Sequence, residues 1–452
     1  MAPSTSLSVA IIGGGPGGLG TAIALSHLPF VTVTLYEQAP EPREVGAGIS
    51  IGRNAWNVLN LLGAAERVRG GRLGTSWQRN GRTGEVVSTD ANLANTNEHG
   101  QKHAEEDLRF ASIRARRTRL QAALLDKVPE GIIQFGKKLV EIRDPGEGEG
   151  QGVALRFKDG TETTVDLVVG ADGIRSVKPP PIVRRTLFPD HHLHVTGNTA
   201  FRVLIPLSSI AHVKDFPAEN GWWHGLNGHI YFAPVDDESE DQDEPRLFEI
   251  TVRSYNEPIS PDRTATWAVP VTNNKVLART GEYDPRIQAV LRAVPEGSWR
   301  EFAMVAGPCL AEITAWDKVA LIGDASHPLS GAFGSGAAFA MEDGWILARA
   351  LEREFPRNVN GDIDRATMIK NALRIFHRIR GPYYERMYDF LASREKHSQG
   401  TRKEGDSEFE GIIKARVAGL GFVAGGKMDW IYKNDIEQVW KEYVAGEQAA
   451  RL

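Results

Sequence analysis

Two aspartates of this 452-residue chain stand beside glycine at the end of an apolar run. Asp324 follows the apolar residues 319–322, and Asp172 follows residues 163–169. Apolar runs of this length that stop at glycine are typical of buried strands. A carboxylate at the end of a strand can accept hydrogen bonds from hydroxyl groups of a ligand. The two aspartates therefore predict a ligand that is rich in hydroxyl groups.

A glycine-rich turn near the N-terminus has the spacing of a dinucleotide-binding fingerprint. The apolar residues 9–12 are followed by Gly13, Gly15 and Gly18, and then by a helical pattern. These glycines allow a tight turn, close approach to a pyrophosphate and close packing of helix on strand, in that order. A second strand pattern ends at Glu37, where a carboxylate binds an adenosine ribose. The pattern predicts FAD or NAD rather than NADP.

The number of strand ends distinguishes between these two cofactors. A simple NAD dehydrogenase has no use for two further strands that end in aspartate, whereas the long second half of FAD does. Enzymes with two dinucleotide domains need a second glycine fingerprint and usually a pair of cysteines. This chain has one fingerprint and one cysteine, Cys309. FAD is therefore the predicted bound cofactor.

Three motifs together resemble those of a known enzyme family. They are GGGPGG at residues 13–18, GADGIRS at 170–176 and GDASHP at 323–328. They are similar to the dinucleotide, DG and GD motifs of single-component (class A) FAD-dependent aromatic-ring monooxygenases of the para-hydroxybenzoate and salicylate hydroxylase type. Residues 46–63 and 116–121 resemble two further blocks of this family. The resemblance covers nearly the whole chain and is strongest to fungal salicylate-hydroxylase-like proteins.

The resemblance implies a reaction. NAD(P)H would visit transiently and reduce the flavin, and O2 would then form a flavin C4a-hydroperoxide that hydroxylates a small phenolic acid. A hydroxybenzoate or a salicylate is the favoured substrate, with the new hydroxyl group replacing the carboxyl group. Three alternatives stay open: hydroxylation or dearomatisation of another phenolic metabolite without decarboxylation, another FAD oxidoreductase on the same scaffold, and a flavin-binding protein without turnover.

The resemblance also implies roles in FAD binding. Glu37 would bind the adenosine ribose, and Arg117 would contact the phosphate or ribityl region. Asp172 would support the pyrophosphate, and Asp324 would bind a ribityl hydroxyl group. Alternatively, Arg117 belongs to a solvated basic face and the two aspartates only cap turns. Further cofactor contacts are expected at Gly48, Gly334, Gly336 and Ala337, the last three at the start of a helix that faces the flavin.

This chain departs from the family pattern at two places. The family usually has an arginine three residues after the serine that corresponds to Ser176, where this chain has prolines at 179–181. Arg184 or Arg185 is expected to take its place. Gly331 stands where the family often has proline. The edge of the substrate pocket near that glycine is therefore not predicted.

Residues from about 187 to 300 contain several strand patterns, which predict a β-sheet that covers the flavin and carries the substrate. Arginine suits a substrate carboxylate, because it is permanently charged and bidentate. Tyrosine or histidine suits a phenol oxygen that must be deprotonated or strongly hydrogen-bonded. Arg202 and Tyr231 are the first candidates, and His224 is the third. Each has an alternative interpretation without a role in binding. Arg202 would be a surface residue of a strand, Tyr231 a core residue and His224 a structural histidine.

Together these patterns predict an α/β fold with a Rossmann-like FAD-binding domain of the glutathione-reductase type, an inserted mixed β-sheet and C-terminal helices. The expected domains are residues 1–186 and 301–392 for FAD binding, 187–300 for substrate and 393–452 as a helical tail. Gly381-Pro382 is expected to kink or split a long helix at residues 364–391.

Bulk composition excludes several other functions. Charged residues make up 25% of the chain and the net charge is −5, so no basic field predicts a nucleic acid or membrane partner. No residue pattern predicts a metal site. A monomer or a homodimer in the cytoplasm is expected. The ending Ala450-Arg451-Leu452 resembles a peroxisomal address, so the peroxisome stays an alternative.

Overall fold

The computed structural model describes residues 6–42, 47–90, 111–144, 146, 152–174, 182–237, 244–255, 267–355, 364–400, 408–423 and 428–449. The expectations about Ser176, about the prolines at 179–181 and about the C-terminal residues 450–452 fall outside these ranges.

The strands are numbered in chain order. Their bounds are Leu7–Ile12 (β1), Val31–Tyr36 (β2), Gly48–Ile51 (β3), Gly71–Arg72 (β4), Ser76–Asn80 (β5), Val86–Asp90 (β6), Ile113–Arg116 (β7), Ile133–Gln134 (β8), Leu139–Arg143 (β9), Val153–Phe157 (β10), Glu162–Val165 (β11), Leu167–Gly170 (β12), His194–Pro206 (β13), Gly221–Gly225 (β14), Gly228–Pro234 (β15), Leu247–Ser254 (β16), Trp267–Pro270 (β17), Arg300–Ala306 (β18), Thr314–Ala315 (β19) and Val319–Leu321 (β20).

The helices are numbered in the same way. Their bounds are Pro16–Ser26 (α1), Arg53–Leu61 (α2), Arg117–Leu125 (α3), Ile182–Leu187 (α4), Asn273–Leu277 (α5), Pro285–Arg292 (α6), Gly336–Glu354 (α7), Arg365–Gly400 (α8), Glu408–Val423 (α9), Asp429–Tyr432 (α10) and Ile436–Ala449 (α11). Within the described ranges, no helix is both long and apolar enough to cross a membrane.

A six-stranded sheet with the order β19-β20-β12-β1-β2-β8 forms the centre of the FAD-binding part. All of its pairs are parallel except β19 with β20. Since β1, β12 and β20 are parallel neighbours, their carboxyl ends lie at one edge of the sheet. This edge therefore brings together Gly13, Asp172 and Asp324, which are far apart in sequence. Helices α1 and α7 pack closely here, because Gly17 leaves room for Ala340.

Two small antiparallel sheets flank this centre. One has the order β11-β10-β9, and the other has the order β3-β7-β4. Strand β7 runs directly into helix α3, so Arg117 stands at the junction of the two elements. The second small sheet also approaches the substrate sheet: a side chain at Gly71 would come within 2.6 Å of the carbonyl oxygen of Pro234 in β15.

An eight-stranded sheet has the order β17-β18-β13-β16-β15-β14-β5-β6. Its pairs are antiparallel except β14 with β5. Two of its strands, β5 and β6, come from residues assigned above to the FAD-binding domain, and β18 continues to Ala306. The domain boundaries stay a prediction, while the strands of this sheet come from both sides of residue 187.

The two faces of the eight-stranded sheet differ in character, because successive residues of a strand point to opposite sides. One face carries apolar side chains, including Phe201 and Phe232, which pack against helices α5 and α6 in one cluster. The other face carries Arg202, Tyr231 and Glu249, yet Tyr231 and Glu249 are buried. We call these the apolar face and the polar face.

Helix α8 runs without interruption from Arg365 to Gly400, with Pro382 inside it. The expected split at this proline is therefore wrong. Arg380 and Tyr384, on either side of Pro382, are buried and both bond to Asp343 of helix α7. These contacts fix the turns on both sides of the proline, which offsets the backbone hydrogen bond that it removes.

Candidate active site

The glycine fingerprint forms a cradle at the end of β1. Gly13 has a φ of +113°, and a side chain there would overlap the carbonyl oxygen of Ala171. A side chain at Gly18 would overlap the carbonyl oxygen of Gly13. Gly15, in contrast, faces open space. The first and third glycines thus permit close packing, and the second leaves room for a ligand beside the N-terminus of α1.

Glu37 lies beside this cradle. Its Oε2 accepts a hydrogen bond of 2.7 Å from the N–H of Gly14, and its Oε1 accepts one of 2.8 Å from Ala39. Each carboxylate oxygen has a second lone pair, so Glu37 can shape the loop and still accept a ribose hydroxyl group. A shallow cleft opens here, lined by Gly14, Glu37, Ala39, Glu41 and Gln121 among others. These residues fit the adenosine half of FAD.

Asp172 and Asp324 differ in how many hydrogen bonds their carboxylates already accept from the protein. Asp172 accepts a 3.1 Å hydrogen bond from the N–H of Val183, while its Oδ1 is buried with no partner among the described residues. Burial raises the pKa of Asp172 to about 6. Asp324 is accessible to solvent but lies in a recess, where burial raises its pKa and Arg117 opposes the rise. No donor in the described part of the chain hydrogen-bonds its carboxylate, which therefore fits a ribityl hydroxyl group.

The start of helix α7 lies next to Asp324. Gly334 has a φ of +67°, which permits the turn that leads into the helix at Gly336 and Ala337. A side chain at Gly336 would stand 3.9 Å from Oδ1 of Asp324. The free N–H groups of the helix N-terminus and the carboxylate thus share one recess, as a ligand with both hydroxyl groups and negative charge requires.

Arg117 stands between the cofactor residues and the substrate sheet. Its backbone N–H donates a 3.1 Å hydrogen bond to the carbonyl oxygen of Ala47. Its charge lowers the pKa of both Asp324 and Arg202. The side chain is half-buried, unlike one on a fully solvated face. Its contact with FAD stays a prediction.

Gly48 has a packing reason to be glycine. A side chain there would overlap Oε2 of Glu249 and stand 2.6 Å from Nε of Arg114. Gly48 therefore lies against an ion pair that joins the small sheet to the substrate sheet. Its expected contact with the cofactor stays a prediction.

Arg184 and Arg185, the two residues expected to take the place of the family arginine, have different surroundings. Arg184 is buried, whereas Arg185 is exposed. Its Nη1 donates to the carbonyl oxygens of Ala325 and Ser326, at 2.9 and 3.2 Å. Arg184 thus holds the loop that follows Asp324.

A buried network beneath this loop was not predicted. Oδ2 of Asp343 accepts a 2.8 Å hydrogen bond from the N–H of Gly323. Its Oδ1 bonds to Nε of Arg380 at 2.7 Å and to the hydroxyl group of Tyr384 at 2.5 Å. The signal that could have revealed it was an adjacent acid pair, Glu342 and Asp343, in the middle of the largely apolar helix α7, most of which is buried.

Arg202 and Tyr231 lie in one row across the polar face. Arg202 of β13 is paired with Thr251 of β16, which is paired with Tyr231 of β15. Trp222 of β14 continues the row beside Tyr231. Because neighbouring strands are about 4.8 Å apart, Arg202 and Tyr231 are separated by about 10 Å along the sheet. An aromatic ring fits between two such side chains.

Arg202 makes no hydrogen bond to any described residue, and its Nε is buried without a partner. Its guanidinium lies 5.7 Å from the ring of Phe302. Burial lowers the pKa of Arg202 to about 10, with Glu249 opposing this and Arg114 adding to it. The side chain is therefore charged at neutral pH, and its nearest carboxylate is already paired with Arg114.

Tyr231 is 7% exposed, and its ring lies 4.6 Å from that of Trp222. The guanidinium of Arg114 stands 5.3 Å from the ring on another side. Burial raises the pKa of Tyr231 to about 12, so its hydroxyl group stays protonated. Tyr231 can therefore donate a hydrogen bond to a phenolate.

His224 lies one row further along the polar face. Its Nε2 forms a 2.8 Å hydrogen bond with Oε1 of Gln78, and burial lowers its pKa to about 4. His224 is therefore neutral at pH 7 and hydrogen-bonded within the sheet, which agrees with the alternative that it is a structural histidine. The histidine that contacts Trp222 is instead His229, with ring centroids 4.9 Å apart. The two-residue spacing of His229 and Tyr231 on one strand could have revealed that they share a face.

No family model matches this chain. It is 27% identical to a 6-methylsalicylate 1-monooxygenase of Aspergillus terreus, over 96% of this chain and 91% of that protein. It is also 27% identical to a salicylate hydroxylase of Pseudomonas putida, over 96% and 94% of the two chains.

Solved structures show the same fold. A salicylate hydroxylase in a substrate complex superposes with a TM-score of 0.73 at 22% identity, over 97% of this chain and 98% of that chain. CtdE in complex with FAD and a substrate gives a TM-score of 0.73 at 17% identity, over 99% and 100%. The predicted fold class is confirmed. The resemblance predicted from the motifs is confirmed as well, with the enzyme class that it implied.

Proposed function

Taking the chain as an FAD-dependent aromatic-ring monooxygenase, we propose that it hydroxylates a hydroxybenzoate or a salicylate with NAD(P)H and O2. We propose further that the new hydroxyl group replaces the carboxyl group, which leaves as CO2. When bound at the strand ends, FAD supplies the activated oxygen. The residues of the polar face bind and orient the aromatic acid.

The observation that carries this proposal is the unpaired charge of Arg202. A charged guanidinium taken out of water is costly unless an anion pairs with it. Glu249 does not serve this purpose, because Arg114 already binds it through two nitrogens. The carboxylate of an aromatic acid would supply the missing anion, with bidentate geometry.

Tyr231 supports the phenolic half of the substrate. Its protonated hydroxyl group would donate a hydrogen bond to the phenol oxygen and stabilise the phenolate, which is the nucleophilic form of the ring. Trp222 and Phe302 stand beside Tyr231 and Arg202 and would exclude water from the ring between them.

The alternative substrate is a phenolic metabolite without a carboxylate. Arg202 and Tyr231 would then both bind the phenolate oxygen, since each is a donor. This alternative differs from the first in one respect that can be measured, namely whether activity requires a carboxylate.

A substrate screen distinguishes them. The purified FAD-bound protein is given NADH or NADPH with salicylate, 6-methylsalicylate, 4-hydroxybenzoate or the uncharged 3-methylphenol. We expect oxidation of the nicotinamide, incorporation of one atom from ¹⁸O2 and release of CO2 with a hydroxybenzoate only. Activity on 3-methylphenol alone, undiminished in Arg202→Ala, would contradict the role of the carboxylate. H2O2 as the sole product with every phenol would contradict hydroxylation itself.

We place the reaction in the cytoplasm, with the ending Ala450-Arg451-Leu452 as the reason to keep the peroxisome as the alternative. A fluorescent fusion at the N-terminus, with and without the last three residues, distinguishes the two locations. Light scattering of the purified protein distinguishes a monomer from a homodimer.

A further inference from the structure

Two buried carboxylates of the substrate sheet bind arginines of the FAD-binding part. Glu249 of β16 is fully buried, and Asp236, just after β15, is 3% exposed. The arginines that pair with them, Arg114, Arg116 and Arg119, all belong to the short segment formed by β7 and the first turn of α3. This segment also contains Arg117.

Glu249 binds Arg114, in the N-terminal part of this segment. Its Oε2 lies 2.5 Å from Nε of Arg114, and its Oε1 lies 2.9 Å from Nη2 of the same residue. Oε1 also accepts a 3.0 Å hydrogen bond from the hydroxyl group of Thr251, which stands between Arg202 and Tyr231 in the row. Glu249 thus connects the flavin side of the molecule to the centre of the substrate row.

Asp236 binds the rest of the segment. Its two oxygens lie 2.8 and 2.7 Å from Nε and Nη2 of Arg116. Nη1 of Arg119 lies 3.1 Å from its Oδ1. Oδ2 also accepts a 2.6 Å hydrogen bond from the N–H of Leu247, the first residue of β16. Asp236 is therefore fixed in the sheet and fixes α3 in turn.

The arginines bound by Glu249 and Asp236 stand on either side of Arg117 in the sequence, with Arg114 and Arg116 before it and Arg119 after it. Arg117 acts electrostatically on Asp324 at the cofactor recess and on Arg202 at the substrate row. A shift of this segment relative to the sheet would therefore change the distance between the two sites. Buried ion pairs add little net stability, but they can specify one arrangement of two packed elements.

We propose that Asp236 and Glu249 are positioning residues that set the distance and orientation between FAD and the aromatic ring held by Arg202 and Tyr231. This inference rests on the function proposed above. Transfer of oxygen to a ring requires close and well-aligned reacting atoms. Hydride transfer from NAD(P)H to the flavin, in contrast, forms no bond to the substrate ring, even where bound substrate stimulates it. Weakening the ion pairs of Asp236 and Glu249 should therefore lower the yield of hydroxylated product without lowering the rate of NAD(P)H oxidation.

The test compares Asp236→Asn with a matched control, Glu301→Gln. Glu301 is another buried carboxylate of the same sheet and lies 2.5 Å from Nζ of Lys275. Lys275 belongs to α5, which packs on the apolar face, so this pair does not reach the segment that contains Arg117. Asp236→Asn keeps the shape of the side chain, and its partners Arg116 and Arg119 are partly accessible to solvent. This variant should therefore fold.

The measurement is the amount of hydroxylated product and of H2O2 formed per NAD(P)H oxidised, with salicylate and 4-hydroxybenzoate as probes. We expect Asp236→Asn to form about 10-fold less product per NAD(P)H, with H2O2 making up the difference, because misplacement of about 1 Å can cost up to 100-fold. FAD content and the rate of NAD(P)H oxidation should match those of Glu301→Gln. Glu249→Gln should give a larger loss of the same kind.

Two outcomes overturn the inference in distinguishable ways. If the wild type forms product and Asp236→Asn does so as efficiently as Glu301→Gln, only the positioning role is wrong. If the wild type forms no hydroxylated product from either probe, the proposed function is wrong and the positioning role fails with it.

Discussion

The two faces of the eight-stranded sheet use the same strands for opposite purposes. The apolar face buries side chains such as Phe232 and Phe248, whose rings are stacked 5.9 Å apart. The polar face buries Glu249 and Tyr231 instead, together with the Nε atom of Arg202. Burial of apolar surface stabilises a fold, whereas burial of charge opposes folding unless each charge is paired. The comparison assigns stability to the apolar face and, under the proposed function, substrate binding to the polar face.

The largest expected effect is on the apolar face. Phe232→Ala should lower the free energy of unfolding by about 3–5 kcal/mol, because it opens a cavity between Phe216 and Phe248. Denaturant unfolding measures the loss. Activity per folded molecule should stay within about twofold of the wild type. A collapse of activity in the folded fraction would mean that the two faces are not independent.

The second effect is on the polar face, where we expect activity to fall while stability is kept. Arg202→Ala should lower kcat/KM for the hydroxybenzoate by roughly 100-fold, equivalent to ~3 kcal/mol, because it removes the cation that pairs with the carboxylate. The midpoint of thermal unfolding should not fall. An unpaired charge that is largely removed from water opposes folding, so the loss of this charge does not weaken the fold. A marked drop in the midpoint would show that Arg202 supports the fold after all.

The third effect is a dependence of stability on pH that originates on the polar face. The pKa of His224 is about 4 in the folded protein and 6.5 when unperturbed, so the unfolded chain binds more protons between these values. Stability should therefore fall as the pH is lowered through this window, with about 2 kcal/mol of the loss at pH 5 attributable to His224. Urea unfolding at several pH values measures it.

His224→Gln provides the matching control. Its amide can keep the bond to Gln78 but does not titrate. The variant should lose less stability than the wild type between pH 7.5 and pH 5. Parallel curves for the two proteins would assign the pH dependence elsewhere.

The smallest effect tests the tyrosine. Tyr231→Phe should lower kcat by about 10-fold, the value of one hydrogen bond to a charged oxygen, and should leave binding of the carboxylate intact. The pH at which bound substrate ionises, followed by its absorbance, should rise. An unchanged ionisation would assign the phenol oxygen to another donor, of which His229 is the nearest candidate on the same strand.

The sequence predicted well those features whose signals are local. Gly13 and Gly18 stand where a side chain would overlap the backbone, and short apolar runs lead to Asp172 and Asp324, so each could be recognised from its neighbours alone. The runs of strand-forming residues at 199–204 and 228–233 likewise predicted strands at Arg202 and Tyr231. That these residues share one row follows from strand pairing, which the sequence does not reveal.

The misses have a common physical cause, because each depends on contacts between distant segments. The acidic stretch at residues 236–244 is typical of a solvated loop, yet its first residue, Asp236, is buried against Arg116. Gly381-Pro382 predicted a kinked or split helix, but the helix is continuous and Arg380 and Tyr384 hold both sides of the proline. Arg184 could not be chosen over Arg185 until the carbonyl oxygens of the distant loop at Ala325 were in place.

The parallel pairing of β14 with β5 has a consequence for folding and for engineering. Residues 187–306 expressed alone would lack β5 and β6, leaving β14 as a long, unprotected edge that can pair with other chains. Since this contact joins Trp77 to Gly221 across a large part of the sequence, its closure should come late in folding. A transplant of substrate specificity between relatives must therefore carry residues 71–90 along with the rest of the sheet.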